Sequence, residues 1–226
     1  MAIRTCVFDA YGTLFDVSAA ARLAAEEGHP AFAQVWQSLA ETWRLKQLQY
    51  TWIRSLAGAH IDFWTVTLDA LDFALDAHGL AGDEGLNARL RTLYWELQAY
   101  PEVPMMLADL KKSGVTTAIL SNGSPDMLAA AVESAGIGDR LDAVLSVEEV
   151  GIFKPDARVY DLVGARFGTS PEEVLFVSAN GWDAAASAGY GFQTIWVNRR
   201  GEPVDRLPWT PDTILPDLTR VAEKIA

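Results

Sequence analysis

Cys6-Val7-Phe8-Asp9-Ala10-Tyr11-Gly12-Thr13-Leu14 is the stretch on which the fold of this chain turns. The apolar run from Ile3 to Phe8 predicts a short buried strand. It ends at one carboxylate, Asp9, and Gly12 then offers a bend, because a residue without Cβ tolerates tight backbone geometry. A strand that closes on a lone acid beside a glycine turn is where an α/β sheet presents a reactive group. An aspartate that only caps the following turn fits this stretch equally well, so the remaining sequence has to decide.

The 226 residues allow one large domain or two modest ones, and 50% of them are apolar, enough for a sizeable core. A net charge of −12 speaks against nucleic acid or a membrane surface as partner, since both demand a basic face. An anionic substrate needs only a few cations placed locally. The single cysteine, Cys6, lies inside the first strand and reads as a small hydrophobe. No basic region followed by a long apolar core opens the sequence, and no apolar run approaches membrane-spanning length, so a soluble cytoplasmic protein is expected.

After Leu14 the pattern is helical to about Gln98. Phe32, Val35, Trp36, Leu39 and Trp43 fall at helical spacing in a segment, 31–57, that meets no Gly until Gly58; Leu45, Leu48, Trp52 and Leu56 suggest a second apolar face on it. Residues 63–78 and 84–98 predict further helices, separated by the Gly79–Gly85 loop. Pro101 and Pro104 mark a boundary, after which strands and helices alternate. Strands are expected at 115–120, 143–146, 174–177 and 193–197, and helices at 107–112, 126–135, 159–167, 183–188 and 218–224. Such alternation implies a doubly wound, Rossmann-like parallel sheet with helices on both faces. The expected division is an α/β core of residues 1–16 and 101–226 with a helical cap domain inserted at 17–100.

Four polar clusters follow or lie near the expected strand ends: Asp9 with Thr13, Ser121 with Asn122, Lys154, and Ser178 with Asn180 and Asp183. In an open parallel sheet the carboxyl ends of the strands face one crevice, so these distant groups can converge.

Together these segments resemble the haloacid dehalogenase superfamily, and in detail its L-2-haloacid dehalogenase branch. The matching stretches are Phe8-Asp9-Ala10-Tyr11-Gly12-Thr13-Leu14-Phe15-Asp16-Val17, Trp43-Arg44-Leu45-Lys46-Gln47-Leu48, Leu120-Ser121-Asn122-Gly123, Phe153-Lys154-Pro155 with Tyr160, and Phe176-Val177-Ser178-Ala179-Asn180-Gly181-Trp182-Asp183. The resemblance implies hydrolytic displacement of halide from C2 of short L-2-haloacids, giving D-2-hydroxy acids. It makes Asp9 the nucleophile of an ester intermediate. Lys154 keeps that carboxylate ionised, and Thr13 and Ser178 orient the carboxylates and Lys154. Ser121 and the backbone amides after Asp9 bind the substrate carboxylate. Arg44 and Asn122 receive the halide, Asp183 with Asn180 activates water, and Tyr160 steadies Lys154 or Asp9. Tyr11, Leu45, Leu48, Phe63 and Trp182 are the apolar residues expected around the substrate. No cofactor and no metal are implied, and a homodimer is.

Two features separate this chain from relatives. The superfamily's magnesium-dependent phosphatases carry a second acid two residues after the first; here that position is Tyr11, and Trp182 precedes Asp183 where an acidic pair is usual. Relatives often have Gln directly after the cap Arg, where Leu45 would make the pocket more apolar. A phosphatase of the same fold, a phospho-accepting receiver-like signalling module and a silent binding protein are the rivals; a receiver lacks a helical cap. Each site residue also has a plain alternative. Arg44 and Lys154 could be solvated, Ser121-Asn122-Gly123 a turn capped by Ser124, and Asp183 an N-cap. Trp36, Trp43, Trp52 and Trp64 read as core, while His29, His60, His78 and the pair Arg199-Arg200 read as surface groups.

Overall fold

The computed structural model describes residues 2–225. Thr5–Phe8 is strand β1, and all four residues are buried. Burial of consecutive residues rather than alternate ones means that both faces of the strand are covered, as in parallel sheets packed between helices. Helices α1 (Ala19–Glu26), α2 (Pro30–Ala33), α3 (Trp36–Ala57), α4 (Phe63–Ala77) and α5 (Glu84–Trp95) follow, then α6 (Val103–Lys112), β2 (Thr116–Ser121), α7 (Pro125–Ser134) and β3 (Ala143–Ser146). The chain continues through α8 (Ala157–Phe167), β4 (Val174–Ser178), α9 (Gly181–Tyr190), β5 (Gln193–Val197) and β6 (Thr213–Leu215).

The strands form one sheet in the order β3-β2-β1-β4-β5-β6, every pair parallel. This is the doubly wound order, and its direction reverses between β1 and β4. Phe8 pairs with Ile119 on one side and Val177 on the other, so Asp9 leaves the sheet at that reversal. Gly12 takes φ 88°, a left-handed conformation that suits glycine, and lets the chain turn back there.

Helices α1–α5 pack on one another, chiefly α3 on α4 and α1 on α5. They enter and leave the sheet through a narrow stalk. Phe15 bridges Ala99, the Asp16 amide donates to the Gln98 carbonyl and the Tyr100 amide to the Leu14 carbonyl. Among the described residues no helix is long and apolar enough to cross a membrane.

Several sequence expectations need correction. The helix expected over 31–57 is two, because Val35 is non-helical; the apolar spacing runs across the break and conceals it. The second apolar face of α3 is not buried. Its buried ridge is Leu39, Trp43, Gln47 and Thr51, spaced by four, and residues turned away from it stay exposed: Leu45 by 53% and Leu56 by 90%. The helix expected to Gln98 stops at Trp95, since Leu97 enters the core and Ala99 pairs with Phe15. No helix spans 218–224; turns and a single 3₁₀ turn at Ala222–Lys224 replace it, pinned by buried Leu218 and Val221. Strand β6 is too short for its pattern to show.

Candidate active site

The carboxylate of Asp9 sits where β1 ends and is only 6% exposed. Both of its oxygens are occupied by donors. Lys154 Nζ lies 3.2 Å from Oδ1, while Thr13 Oγ1 at 3.0 Å and Asn180 Nδ2 at 2.9 Å serve Oδ2. Thr13 spends its hydrogen on Asp9 and accepts from the Ala179 amide at 2.8 Å, which ties the β1 turn to the end of β4. Lys154 is fully enclosed and also reaches Asp183 Oδ2 at 2.9 Å. One ammonium thus serves two buried carboxylates. Removing it would strand both, at a cost on the order of 3–5 kcal/mol.

Burial alone would push the Lys154 ammonium down, but Asp183 and Asp9 more than offset it and hold its pKa above the ordinary lysine value. Asp183 is pushed above the usual carboxylate range, first by burial; Lys154 opposes that push and the charge on Asp9 adds to it. The Tyr160 phenol donates to Asp183 Oδ1 at 2.9 Å, and burial and Asp183 keep that phenol neutral. Tyr160 therefore steadies Asp183 rather than Lys154 or Asp9. Asp183 is not the N-cap of α9 either: Asn180 holds that position and Asp183 lies in the first turn.

Arg44 reaches this cluster from α3. Its Nη2 donates to the Tyr11 carbonyl at 3.3 Å and to Asn180 Oδ1 at 3.2 Å, so it is not a solvated helix residue. Asn180 touches Asp9 with one end of its amide and Arg44 with the other. Among the described residues Ser178 hydrogen-bonds neither a carboxylate nor Lys154; its hydroxyl accepts from the Asn180 amide at 3.1 Å and sets the turn. Asn122 Oδ1 accepts from the Lys154 backbone at 2.9 Å, which fixes the strand-end turn and leaves the Asn122 amide nitrogen as the donor end. Ser121 accepts from the Gly123 amide at 3.0 Å. Of the amides after Asp9, those of Gly12, Thr13, Leu14 and Phe15 are consumed within the turn, so an anion could be offered only Ala10 and Tyr11 there.

Around this centre Tyr11 is buried, stacked on Tyr94 with ring centroids 5.9 Å apart and tilted against Phe63 at the same separation. Trp182 meets Trp52 edge to face at 5.4 Å, which brings α9 against α3. Leu48 is half-buried and Leu45 is exposed. Trp43 is core, with Trp36 and Trp64 packed against it. His60 is not a plain surface group: it bonds Glu148 at 3.0 Å and packs on Phe153 at 4.6 Å.

Two contributors escape the sequence reading. Gln47 is buried beneath Arg44 and accepts from its Nη1 at 2.7 Å. A position three residues beyond Arg44 on one helix was the available signal. Arg199, read as solvated, pairs with Glu102 at 2.7 Å, donates to the Thr13 carbonyl at 3.2 Å and lies 3.7 Å over the Tyr100 ring. Only tertiary contacts reveal it.

The chain as a whole resembles known proteins. The chain is 44% identical to (S)-2-haloacid dehalogenase 1 of Pseudomonas sp. (strain CBS-3) over 201 residues, 89% of this chain and 87% of that one. It is 45% identical to (S)-2-haloacid dehalogenase 4A of Burkholderia cepacia over 89% of this chain and 85% of that one. A solved L-2-haloacid dehalogenase of Xanthobacter autotrophicus with chloropropionic acid covalently bound superposes with a TM-score of 0.87 at 36% identity, covering 99% of this chain and 98% of the other. Residues 3–191 match the family model for haloacid dehalogenase-like hydrolases. With the fold and the sequence in agreement, the chain belongs to the haloacid dehalogenase-like hydrolase family.

Proposed function

We propose that this protein hydrolyses short L-2-haloacids to D-2-hydroxy acids and halide, without a metal ion, through an ester on Asp9. The observation that carries this reading is the pairing of a fully donor-bound Asp9 with a guanidinium, Arg44, joined to it through Asn180. The covalently bound chloropropionic acid of the Xanthobacter autotrophicus enzyme supports the same chemistry.

In this reading Lys154 pairs with the Asp9 carboxylate, and Thr13 and Asn180 aim it at C2. Ser121, with the Ala10 and Tyr11 amides, takes the substrate carboxylate. Arg44 and the donor end of Asn122 accept the departing halide on the side opposite Asp9, where in-line displacement requires a cation. Attack inverts C2. Water activated by Asp183, positioned with Asn180, then cleaves the ester at the Asp9 carbonyl carbon and frees the carboxylate. Tyr160 orients Asp183. Tyr11, Phe63, Leu48 and Trp182 exclude bulk water.

A monoanionic haloacid needs no divalent cation to offset its charge, and Tyr11 stands where a phosphatase would carry its second acid. Segment 17–100 serves as a cap over the core of 1–16 and 101–226, bringing Arg44 to the strand ends. Its exposed apolar side chains, Leu45, Ile53 and Leu56, support pairing with a second copy of the chain. The test is halide release from each enantiomer of 2-chloropropionate under exhaustive chelation, beside a phosphatase assay, with chiral chromatography of the product. Turnover of the L substrate to D-lactate is expected. An L product, or activity restored only by Mg²⁺, overturns the reading.

A further inference from the structure

The ridge that α3 buries runs Leu39, Trp43, Gln47, Thr51. Where a leucine would serve the core, this ridge carries an amide that is 1% exposed. Burying an amide is costly unless its hydrogen bonds are made. Here they are. Nε2 donates to Thr67 Oγ1 at 2.7 Å and to Tyr94 Oη at 3.0 Å, and Oε1 accepts from Arg44 Nη1 at 2.7 Å.

The direction of the amide is forced. Thr67 gives its hydroxyl hydrogen to the Phe63 carbonyl at 2.7 Å, so towards Gln47 it can only accept. The NH₂ end must therefore face Thr67, and the carbonyl end must face Arg44. A flipped amide would set two donors against a guanidinium and leave Thr67 facing another acceptor. Tyr94 adds a second restraint. Its hydroxyl holds Gln47 while its ring stacks on Tyr11, whose carbonyl takes Nη2 of Arg44. Both ends of the guanidinium are thus fixed by groups that themselves cannot turn.

We infer that Gln47, oriented by Thr67 and Tyr94, is a positioning residue that sets where the Arg44 guanidinium meets the leaving group. The inference rests on the halide-accepting role proposed for Arg44. Because Arg44 acts directly on carbon–halogen cleavage and meets the later attack of water only through Asn180, a loosened guanidinium slows ester formation far more than ester hydrolysis. A residue that only held the fold together would slow both steps equally.

The experiment is rapid-quench single turnover of L-2-chloropropionate, with ester formation and ester hydrolysis followed separately in wild type, Gln47→Met, Tyr94→Phe and Arg44→Ala. Gln47→Met keeps the volume and removes the acceptor, and should slow ester formation roughly tenfold to a hundredfold, the scale of a small misplacement of a reacting group. Ester hydrolysis, which Arg44 meets only through Asn180, should slow much less. Tyr94→Phe keeps the stacked ring and should slow the same step by roughly threefold, which decides the matter if Gln47→Met does not fold. Wild-type ester formation in both variants, or equal slowing of both steps, overturns the role of Gln47. If Arg44→Ala itself forms ester at the wild-type rate, or wild type forms none, the reading of the reaction fails instead.

Discussion

Tyr160 gives its phenolic hydrogen to Oδ1 of Asp183, the oxygen that Lys154 does not hold. That bond favours the ionised carboxylate and works against the burial that pushes its pKa up. If Asp183 activates water as proposed, it must be ionised to do so, and ester hydrolysis should fail on the acidic side at a higher pH than for an ordinary carboxylate. Tyr160→Phe removes the favourable bond, and the acidic limb should move further upward. The pH dependence of ester hydrolysis in single turnover checks this; a limb that stays put or moves down shows that Tyr160 only packs.

Covalent attack by Asp9 and direct attack of water give the same inverted product, and the origin of oxygen separates them. A single turnover in H₂¹⁸O with enzyme in excess should leave the product hydroxyl unlabelled and place ¹⁸O in the peptide containing Asp9. Mass spectrometry reads both. Label in the hydroxyl alone would leave Asp9 as a general base.

In the proposed reaction, loss of Arg44 removes the cation that receives the halide. Arg44→Ala should lower turnover by roughly 10²-fold or more, the scale for losing such a donor. Arg44→Lys should recover only part, because a point charge cannot meet Gln47, Tyr11 and Asn180 at once as the planar fork does. Steady-state halide release measures both, and wild-type rates in Arg44→Ala would contradict the assignment.

Arg199 closes a different gap. It joins Glu102 to the Thr13 carbonyl with little exposure on either member of the ion pair. Arg199→Ala should cost about 2 kcal/mol by leaving a carboxylate and a carbonyl short of a donor. For a chain of this size that is roughly 4–8 °C in Tm, read by thermal unfolding. An unchanged Tm would mean that solvent replaces both contacts at no cost.

The α/β order and the strand-end groups were legible because parallel strands buried on both faces leave long apolar runs, and each run stops at a polar residue. Asp9, Asn180, Lys154 and Asp183 could therefore be brought together on paper. Gln47 could not: an amide on a helix reads as solvated until the neighbouring Thr67 and Tyr94 are seen beneath it. Arg199, beside a glycine turn, gives no local sign of Glu102 or Tyr100. The partner of Tyr160 was misassigned for a related reason. Three charged groups lie within reach of one another, and sequence does not say which of them a phenol will face.

The strand order has a consequence for how the chain comes to its final state. β1 is made before the other five strands, yet Thr5 finds its partners only in Thr116 and Val174. Closing such long loops is slow, whereas the helices of residues 19–95, which pack largely on one another, can organise as they are synthesised. Until β4 arrives, Cys6–Phe8 is an apolar strand with an unpaired edge, the kind of surface that invites pairing with other chains. The same arrival completes Asp9, since Asn180 and the Ala179 amide that anchors Thr13 follow β4 directly. A nascent or truncated chain that stops short of β4 is therefore both prone to aggregation and without the donors that hold Asp9.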